Sequence, residues 1–561
     1  MKLGIDFGTS YTKLAGWQDG RMLDLLGGRM PSAATYVPDL DKLFFGAPAI
    51  QLASDRNLST RFFKLHLKRN RGFQLGPYPL EALLYSFFSF LNEYYILPRG
   101  FRPDSINLSI PNNFGLKSRR ALISAAQKAF SLDDITLLPE PLAAILGYNS
   151  AHPDQAEGGD WLIIDVGGGT VDFSFMSLYP DQNKILLESQ FQVGHDAFSG
   201  SEVDRMVLRR LIAPAFQMQY GIDLPGAILN ERLESSEEQY WFYRWMQLAE
   251  DIKMQLGCEE IVKLTVNSFY EDFALDLSFH QDDFKEAVKP VFERLRRYWR
   301  EGVYERARAL GLAESAGWQL DGILLLGGGA LTPGLSEEIA ALCPGVPVIR
   351  PDTPDLFVIK GLSCWPEYIP AGRVNLKTIY PFRFYREQKS NTGNQLKEIP
   401  FDSAHLELDF AGRYEIGNLY PDAPDNISED PERLVFRVYE AAEEDPRPEL
   451  ERFMDQEPVL ELDIGKQELE GPLTVYLDLA HACLELDNNK LLSQGLLQDD
   501  DDLLHKVRIK QRAAYDLIKA YKFMDEMLTE DYARQLEHYG VDDSQTALFK
   551  ILSLMKIYGD K

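Results

Sequence analysis

Ile163-Ile164-Asp165-Val166-Gly167-Gly168-Gly169-Thr170-Val171-Asp172 decides the reading of this chain. An apolar run of strand type ends in an aspartate, breaks into three glycines and resumes after a hydroxyl residue. The same grammar stands at Gly4-Ile5-Asp6-Phe7-Gly8-Thr9-Ser10. A third segment, Ile323-Leu324-Leu325-Leu326-Gly327-Gly328-Gly329, keeps the strand and the glycines but lacks the aspartate. Glycines let backbone N–H groups approach phosphate oxygens and allow φ > 0. Asp6 and Asp165 suit a divalent cation held through waters, as Mg²⁺ usually is. The third turn suits an uncharged ligand part such as a nucleoside. One glycine-rich strand end is often only a tight turn. Three in this order, two with matched Asp and Thr or Ser, point to phosphates and a cation held between two mirrored lobes.

Size and charge narrow the field. A chain of 561 residues implies two or three domains. A net charge of −28 argues against nucleic acid or an anionic membrane as a general partner. The densest acidic runs, Glu443-Glu444-Asp445 and Asp499-Asp500-Asp501-Asp502, read as solvated surface before they read as a dock for a basic partner. Cys258, Cys343, Cys364 and Cys483 form no CxxC pair and read as reduced core thiols of a cytoplasmic protein. No apolar run reaches membrane-spanning length, and the opening residues read as a strand and not as a signal peptide.

Outward from the turns, strand–turn–strand units are expected at 3–17 and 161–177, about 160 residues apart. This internal duplication implies two related lobes facing each other. Helices are expected at 80–97, 116–130, 202–220, 237–257, 282–310, 336–343 and 355–364, with a strand at Ile106–Ile110. After residue 372 short alternating segments appear at 378–385, 406–410, 434–438, 459–464 and 473–479, which suggests a small all-β domain. From Leu503 the pattern is helical, with a last helix at 545–557.

The three turns in this order resemble the actin and sugar-kinase superfamily, and more closely the seventy-kilodalton heat-shock chaperones of DnaK type. Further segments carry the likeness: Pro31-Ser32, Phe45-Gly46-Ala47-Pro48-Ala49, Phe62-Phe63-Lys64-Leu65, Ile110-Pro111 with Arg119, and Leu138-Pro139-Glu140-Pro141-Leu142-Ala143-Ala144. Gly200-Ser201-Glu202-Val203-Asp204 resembles the family's GGEDFD element, and Asp355 with Gly361 its last nucleotide-domain motif. The resemblance covers roughly residues 1–370. It implies an α/β fold: a two-lobed, actin-like (ribonuclease H-like) ATPase domain over 1–370. A β-rich, sandwich-like substrate or partner domain over 375–490 and a C-terminal helical segment over 500–561 follow by layout alone.

The resemblance also implies roles. ATP or ADP with Mg²⁺ is the expected ligand. Asp6 and Asp165 would hold the ion through its water shell. Gly8, Thr9, Ser10, Tyr11, Gly167, Gly168, Gly169 and Thr170 would contact phosphates. Lys64 would face the γ-phosphate and the attacking water, and Glu140, Thr170 and Asp172 would complete the catalytic set. Pro111, Arg119 and Glu140 would form a relay to the lobe surface. Gly200, Ser201, Glu202, Glu250, Lys253, Gly257, Gly327, Gly328, Gly329, Leu331 and Asp355 would complete the nucleotide site, with Glu250 and Lys253 at the ribose. Partners would be protein clients and J-domain-like or nucleotide-exchange co-chaperones, with no nucleic acid and no membrane, for a monomer or weak oligomer.

The departures are as informative. The family's adenosine-facing helix carries Lys-Arg and a serine three residues later; here stand Lys253-Met254 and Gly257. Leu331 stands where the family sets an arginine against the base. Each lost cation–π contact is worth roughly 0.5–2 kcal/mol, although a thioether still favours an aromatic face. The family's leucine-rich interdomain linker is not recognisable at 365–380, where Ile379-Tyr380-Pro381-Phe382 stands in for part of it. Ile557 to Lys561 lack the acidic tail of eukaryotic cytosolic members, which favours a bacterial source. His152-Pro153-Asp154 matches a J-domain tripeptide but lies in a loop before a core strand, and is set aside. Two other classes stay open: a non-hydrolysing nucleotide-sensing scaffold, and an actin-like filament protein.

Overall fold

The structure is a computed structural model. It describes most of residues 2–486; residues 153–157, 369–373, 379–381, 400–405, 409–412, 420–426, 443–458, 466–472, 479–481 and 487–561 lie outside the described set, with a few single residues and pairs. The expected helices beyond Leu503 and the tripeptide's Pro153 and Asp154 therefore lie outside the described residues.

Two sheets of the same strand order form the frame. In the first, β1 (Lys2–Phe7) lies between a hairpin partner and parallel neighbours. β2 (Tyr11–Gln18) and β3 (Arg21–Asp24) follow antiparallel on one side. β4 (Ser105–Ile110) and β5 (Ile135–Pro139) run parallel on the other. In the second sheet β6 (Gly159–Val166) takes the place of β1. β7 (Val171–Asp181) and β8 (Lys184–His195) lie on its antiparallel side. β9 (Gly322–Leu326) and β10 (Val348–Ile349) lie on its parallel side. Both sheets thus read third parallel strand, second, central strand, hairpin, hairpin. The central parallel strands β1, β4 and β9 are buried along nearly their whole length, as strands covered on both faces must be. Leu324, Leu325 and Leu326 are all fully buried.

The helices follow from their apolar spacing. α1 (Leu80–Leu91) buries nearly every residue, with Phe87 and Phe88 packed on Phe7 at ring separations of 5.3 and 5.8 Å. α2 (Leu116–Phe130) matches the expected 116–130. α3 (Glu140–Ala151) opens with proline in its first turn, where the missing N–H costs nothing. α4 (Gly200–Val207) begins the helical run to Tyr220. α5 (Ser236–Leu256) opens on a capping box between Ser235 and Glu238. α6 (Phe357–Tyr368) crosses α3 between the two sheets. That crossing is tight: a Cβ on Gly361 would strike the Ala143 carbonyl, and one on Gly147 the Phe357 carbonyl.

Two features depart from expectation. An antiparallel hairpin, Ile261–Tyr270 with Phe273–His280, stands between the helices expected at 237–257 and 282–310. The segment expected as one strand at 378–385 is divided. β11 (Val374–Thr378) joins the second sheet beside β8, with Leu187 opposite Leu376, whereas Phe382–Ser390 enters a separate four-stranded sheet. That sheet and a three-stranded one, Arg413–Leu419 with Leu473–Asp478 and Cys483–Leu486, form the β-rich portion. Phe384, Phe436, Val438, Val475 and Leu477 are buried in the same core as α1 and the first sheet.

Candidate functional site

The three glycine turns converge on one cleft between the sheets. The turn after β1 is cramped: a Cβ on Gly8 would strike the Tyr11 carbonyl. The turn after β6 closes with the Gly167 N–H donating to the Thr170 carbonyl at 2.9 Å. The two turns touch, because a Cβ on Gly168 would overlap the Ser10 hydroxyl. The third stacks on the second: Gly327, at φ 81°, has no room for a Cβ beside Asp165 and the Val166 carbonyl. Only glycine meets both the backbone angle and the approach.

Carboxylates gather at the strand ends. Asp6 accepts from the Ser109 hydroxyl at 2.9 Å and from the Lys13 ammonium at 3.4 Å. Asp165 is buried, and its carboxyl is held well above the usual range by that burial and by the nearby charges of Glu140, Asp172 and Asp6, against the pull of Lys13. The Thr170 hydroxyl donates to Asp172 at 3.0 Å. Among the described residues no three acidic, His or Cys side chains converge closely enough to ligate a metal directly. The arrangement fits a hydrated divalent ion, whose charge would relieve the repulsion around Asp165.

Lys64 is almost fully buried and donates to Glu140 at 2.8 Å. Its ammonium lies 5.6 Å from the Phe7 ring centre and 5.7 Å from that of Phe114. Glu140 accepts from Lys64, and the Arg119 Nε donates to the Phe114 carbonyl at 2.8 Å.

On the opposite wall, α5 presents Glu250, Lys253 and Met254 to the cleft. Glu250 faces Arg61 at 3.6 Å, and burial and the Glu250 charge together push the Tyr11 phenol up. The Arg29 guanidinium covers the Tyr11 ring at 4.2 Å. Lys253 pairs with Asp204 at 2.7 Å and donates to the Gly200 carbonyl at 3.3 Å. Burial raises the Asp204 carboxyl, to about 6, although Lys253 pulls it down.

Most of the expected residues line the cleft: Asp6, Gly8, Thr9, Ser10, Tyr11, Lys64, Glu140, Asp165, Gly167, Gly168, Thr170, Gly200, Glu250, Lys253, Gly327, Gly328, Gly329 and Asp355. Gly169, Asp172, Ser201, Glu202, Gly257 and Leu331 stand behind that lining. Glu202 is turned to an ion network with Arg205 at 2.7 Å and Arg294 at 3.0 Å. Ser201 supports the cleft through its N–H, which donates to the Gly168 carbonyl at 3.0 Å. Gly257 gives close passage to the Leu331 carbonyl, 2.9 Å from where its Cβ would be. Lys13, Arg29 and Asp204 line the cleft without having been expected there. Lys13 carried a signal, a charge inside an otherwise apolar strand, and so did Asp204, four residues into α4 from Gly200.

The fold and cleft define a mixed α/β protein with a duplicated sheet and a glycine-lined, acid-rich site. A family model described as Hsp70 protein matches residues 104–352. The chain is 24% identical over 263 residues to the chaperone protein DnaK of Thermus thermophilus, covering 46% of this chain and 38% of that one. It is 23% identical over 350 residues to a heat shock cognate HSP70 protein of Trypanosoma brucei brucei, covering 62% and 45%. It is 25% identical over 275 residues to a chaperone protein HscA homolog of Burkholderia orbicola, covering 47% and 38%. The chain thus spans less than half the length of these curated relatives. Over residues 104–352 the chain is similar to the Hsp70 family, at low identity to its curated members.

Proposed function

We propose that this chain is a nucleotide-operated, chaperone-like protein: ATP with Mg²⁺ binds between two lobes, and its hydrolysis changes their closure and thereby the hold on a protein client or partner. One observation carries the reading. Two equivalent glycine turns, each following a buried aspartate, face each other across a cleft that also holds the buried Lys64–Glu140 pair.

The chain's own groups divide the work. Backbone N–H groups of the turns at Gly8–Ser10 and Gly167–Thr170 receive phosphate oxygens. Lys64 sets a positive charge at the terminal phosphate. Glu140 fixes that ammonium and accepts from the attacking water, while Asp172 orients Thr170 towards the phosphate. Mg²⁺, when bound through Asp6 and Asp165 by its waters, supplies charge to the phosphates. Glu250 and Lys253 face the ribose. In this reading residues 1–370 are the nucleotide domain and 375–490 the client- or partner-binding domain, with J-domain-like and exchange factors as co-chaperones. β11 supports coupling between the parts, since it ties the chain leaving α6 to the edge of the second sheet.

A second reading, a sensor that binds but does not hydrolyse, is favoured by Met254 on the cleft wall where the family sets a guanidinium. Phosphate release by wild type and Lys64→Ala separates the two. The hydrolytic reading expects a loss of at least about a hundredfold in the variant, the scale of one lost charge stabiliser at a transition state. Equal release from both proteins, with ATP still raising the melting temperature of wild type, would establish the sensor.

A further inference from the structure

The duplicated hairpins differ at one pair of positions. In the second sheet Asp165 on β6 lies opposite Asp172 on β7. In the first, Asp6 on β1 lies opposite Lys13 on β2. Directly opposed residues on one face are neighbours, so their charges interact strongly. The second hairpin therefore presents acid against acid, and the first acid against base.

Lys13 is no surface lysine. It is 8% exposed, lines the cleft, and sits between two carboxylates, Asp6 at 3.4 Å and Asp355 at 3.7 Å. An ammonium has three N–H donors. One reaches a carboxylate within hydrogen-bonding distance, at Asp6. The others are left for the cleft, which is walled by glycine turns that suit phosphate oxygens. A lysine is a compact point charge on a flexible stem, fit to follow a phosphate as it settles.

We propose that the Lys13 ammonium is a resident cation of the phosphate site, and that it lets the chain hold a nucleoside di- or triphosphate with little dependence on a divalent ion. The inference rests on the nucleotide reading of the cleft. It assigns the counter-charge at Asp6 to the protein itself and leaves the demand for metal charge at Asp165 and Asp172.

The test measures ADP affinity of the full chain by calorimetry, with Mg²⁺ and with a chelator, for wild type, Lys13→Met and Lys13→Arg. Chelation should weaken wild type and Lys13→Arg by less than about fivefold and Lys13→Met by more than about twentyfold. Equal factors in wild type and Lys13→Met overturn the inference and leave the nucleotide reading standing. So does a loss beyond about a hundredfold in wild type, a result that needs no variant and decides the matter even if Lys13→Met does not fold. No ADP binding in either buffer overturns both.

Discussion

Asp165 shows how a single side chain records what the cleft is for. Its carboxyl is buried at the end of β6, and Glu140, Asp172 and Asp6 add like charge around it. Burial and like charge both disfavour the ionised form, so without a cation the position is strained electrostatically. In the nucleotide-free protein the folded carboxyl keeps its proton at pH values where the unfolded chain has lost it. Stability therefore falls as pH rises from the ordinary carboxylate range through the raised pKa of Asp165. Asp165→Asn should flatten that slope and raise nucleotide-free stability at neutral pH by on the order of 1–2 kcal/mol. The same variant should weaken ADP binding in Mg²⁺. Melting temperatures between about pH 5 and 8 check the first, and a variant whose slope matches wild type would refute it.

At the scale of elements, the α3–α6 crossing is the joint between the sheets. Leu142, Leu146, Phe357 and Leu362 share one core with Ile163 of β6 and Leu324 of β9. Asn107 of β4 donates to the Leu362 carbonyl at 3.0 Å, which ties α6 to the first sheet as well. With no space for a Cβ at Gly147 or Gly361, either alanine must part the helices. Gly361→Ala should cost about 1–3 kcal/mol in urea unfolding, the usual cost of overpacking. Gly226→Ala is the control, because its Cβ would meet only Asn230, at 3.9 Å. It should be neutral or stabilising by about 0.4–1 kcal/mol. Equal losses in the two variants would show that the crossing is not under close contact.

Across the whole molecule, the β-rich portion meets the first sheet unit at the start of α2. The cap position there, Gly115, has no side chain to satisfy the helix. Glu440, more than three hundred residues away in sequence, accepts from the Leu116 N–H through both carboxylate oxygens at 3.1 and 3.0 Å. A carboxylate at a helix N-terminus is favoured by the exposed N–H groups and the helix dipole. Glu440→Ala should remove about 0.5–2 kcal/mol from this contact. Hydrogen exchange at residues 116–119 should quicken by about two- to thirtyfold, which is that energy expressed as an opening equilibrium. Unchanged exchange would show that the contact is not held in solution.

The three glycine turns, the duplicated hairpins, α2 and the change to β structure after residue 372 were legible in the sequence, because each rests on local rules: apolar period, glycine angles and strand length. The hairpin at Ile261–His280 was legible too, in the alternation of Val262, Leu264 and Val266, but the expected helices on either side leave it unread. Other features belong to the tertiary structure alone. Nothing near Glu202 in sequence says that Arg294 will turn it from the cleft. Nothing near β11 says that it will pair with β8, or that Glu440 will cap α2. Lys13 is the sharpest case. The sequence determined that a lysine interrupts an apolar strand; only the pairing of β1 with β2, and the approach of Asp355 from beside α6, decided that this charge lies between two carboxylates in the cleft. Local propensity acts over a few residues, whereas charge acts through space on whatever the fold brings near.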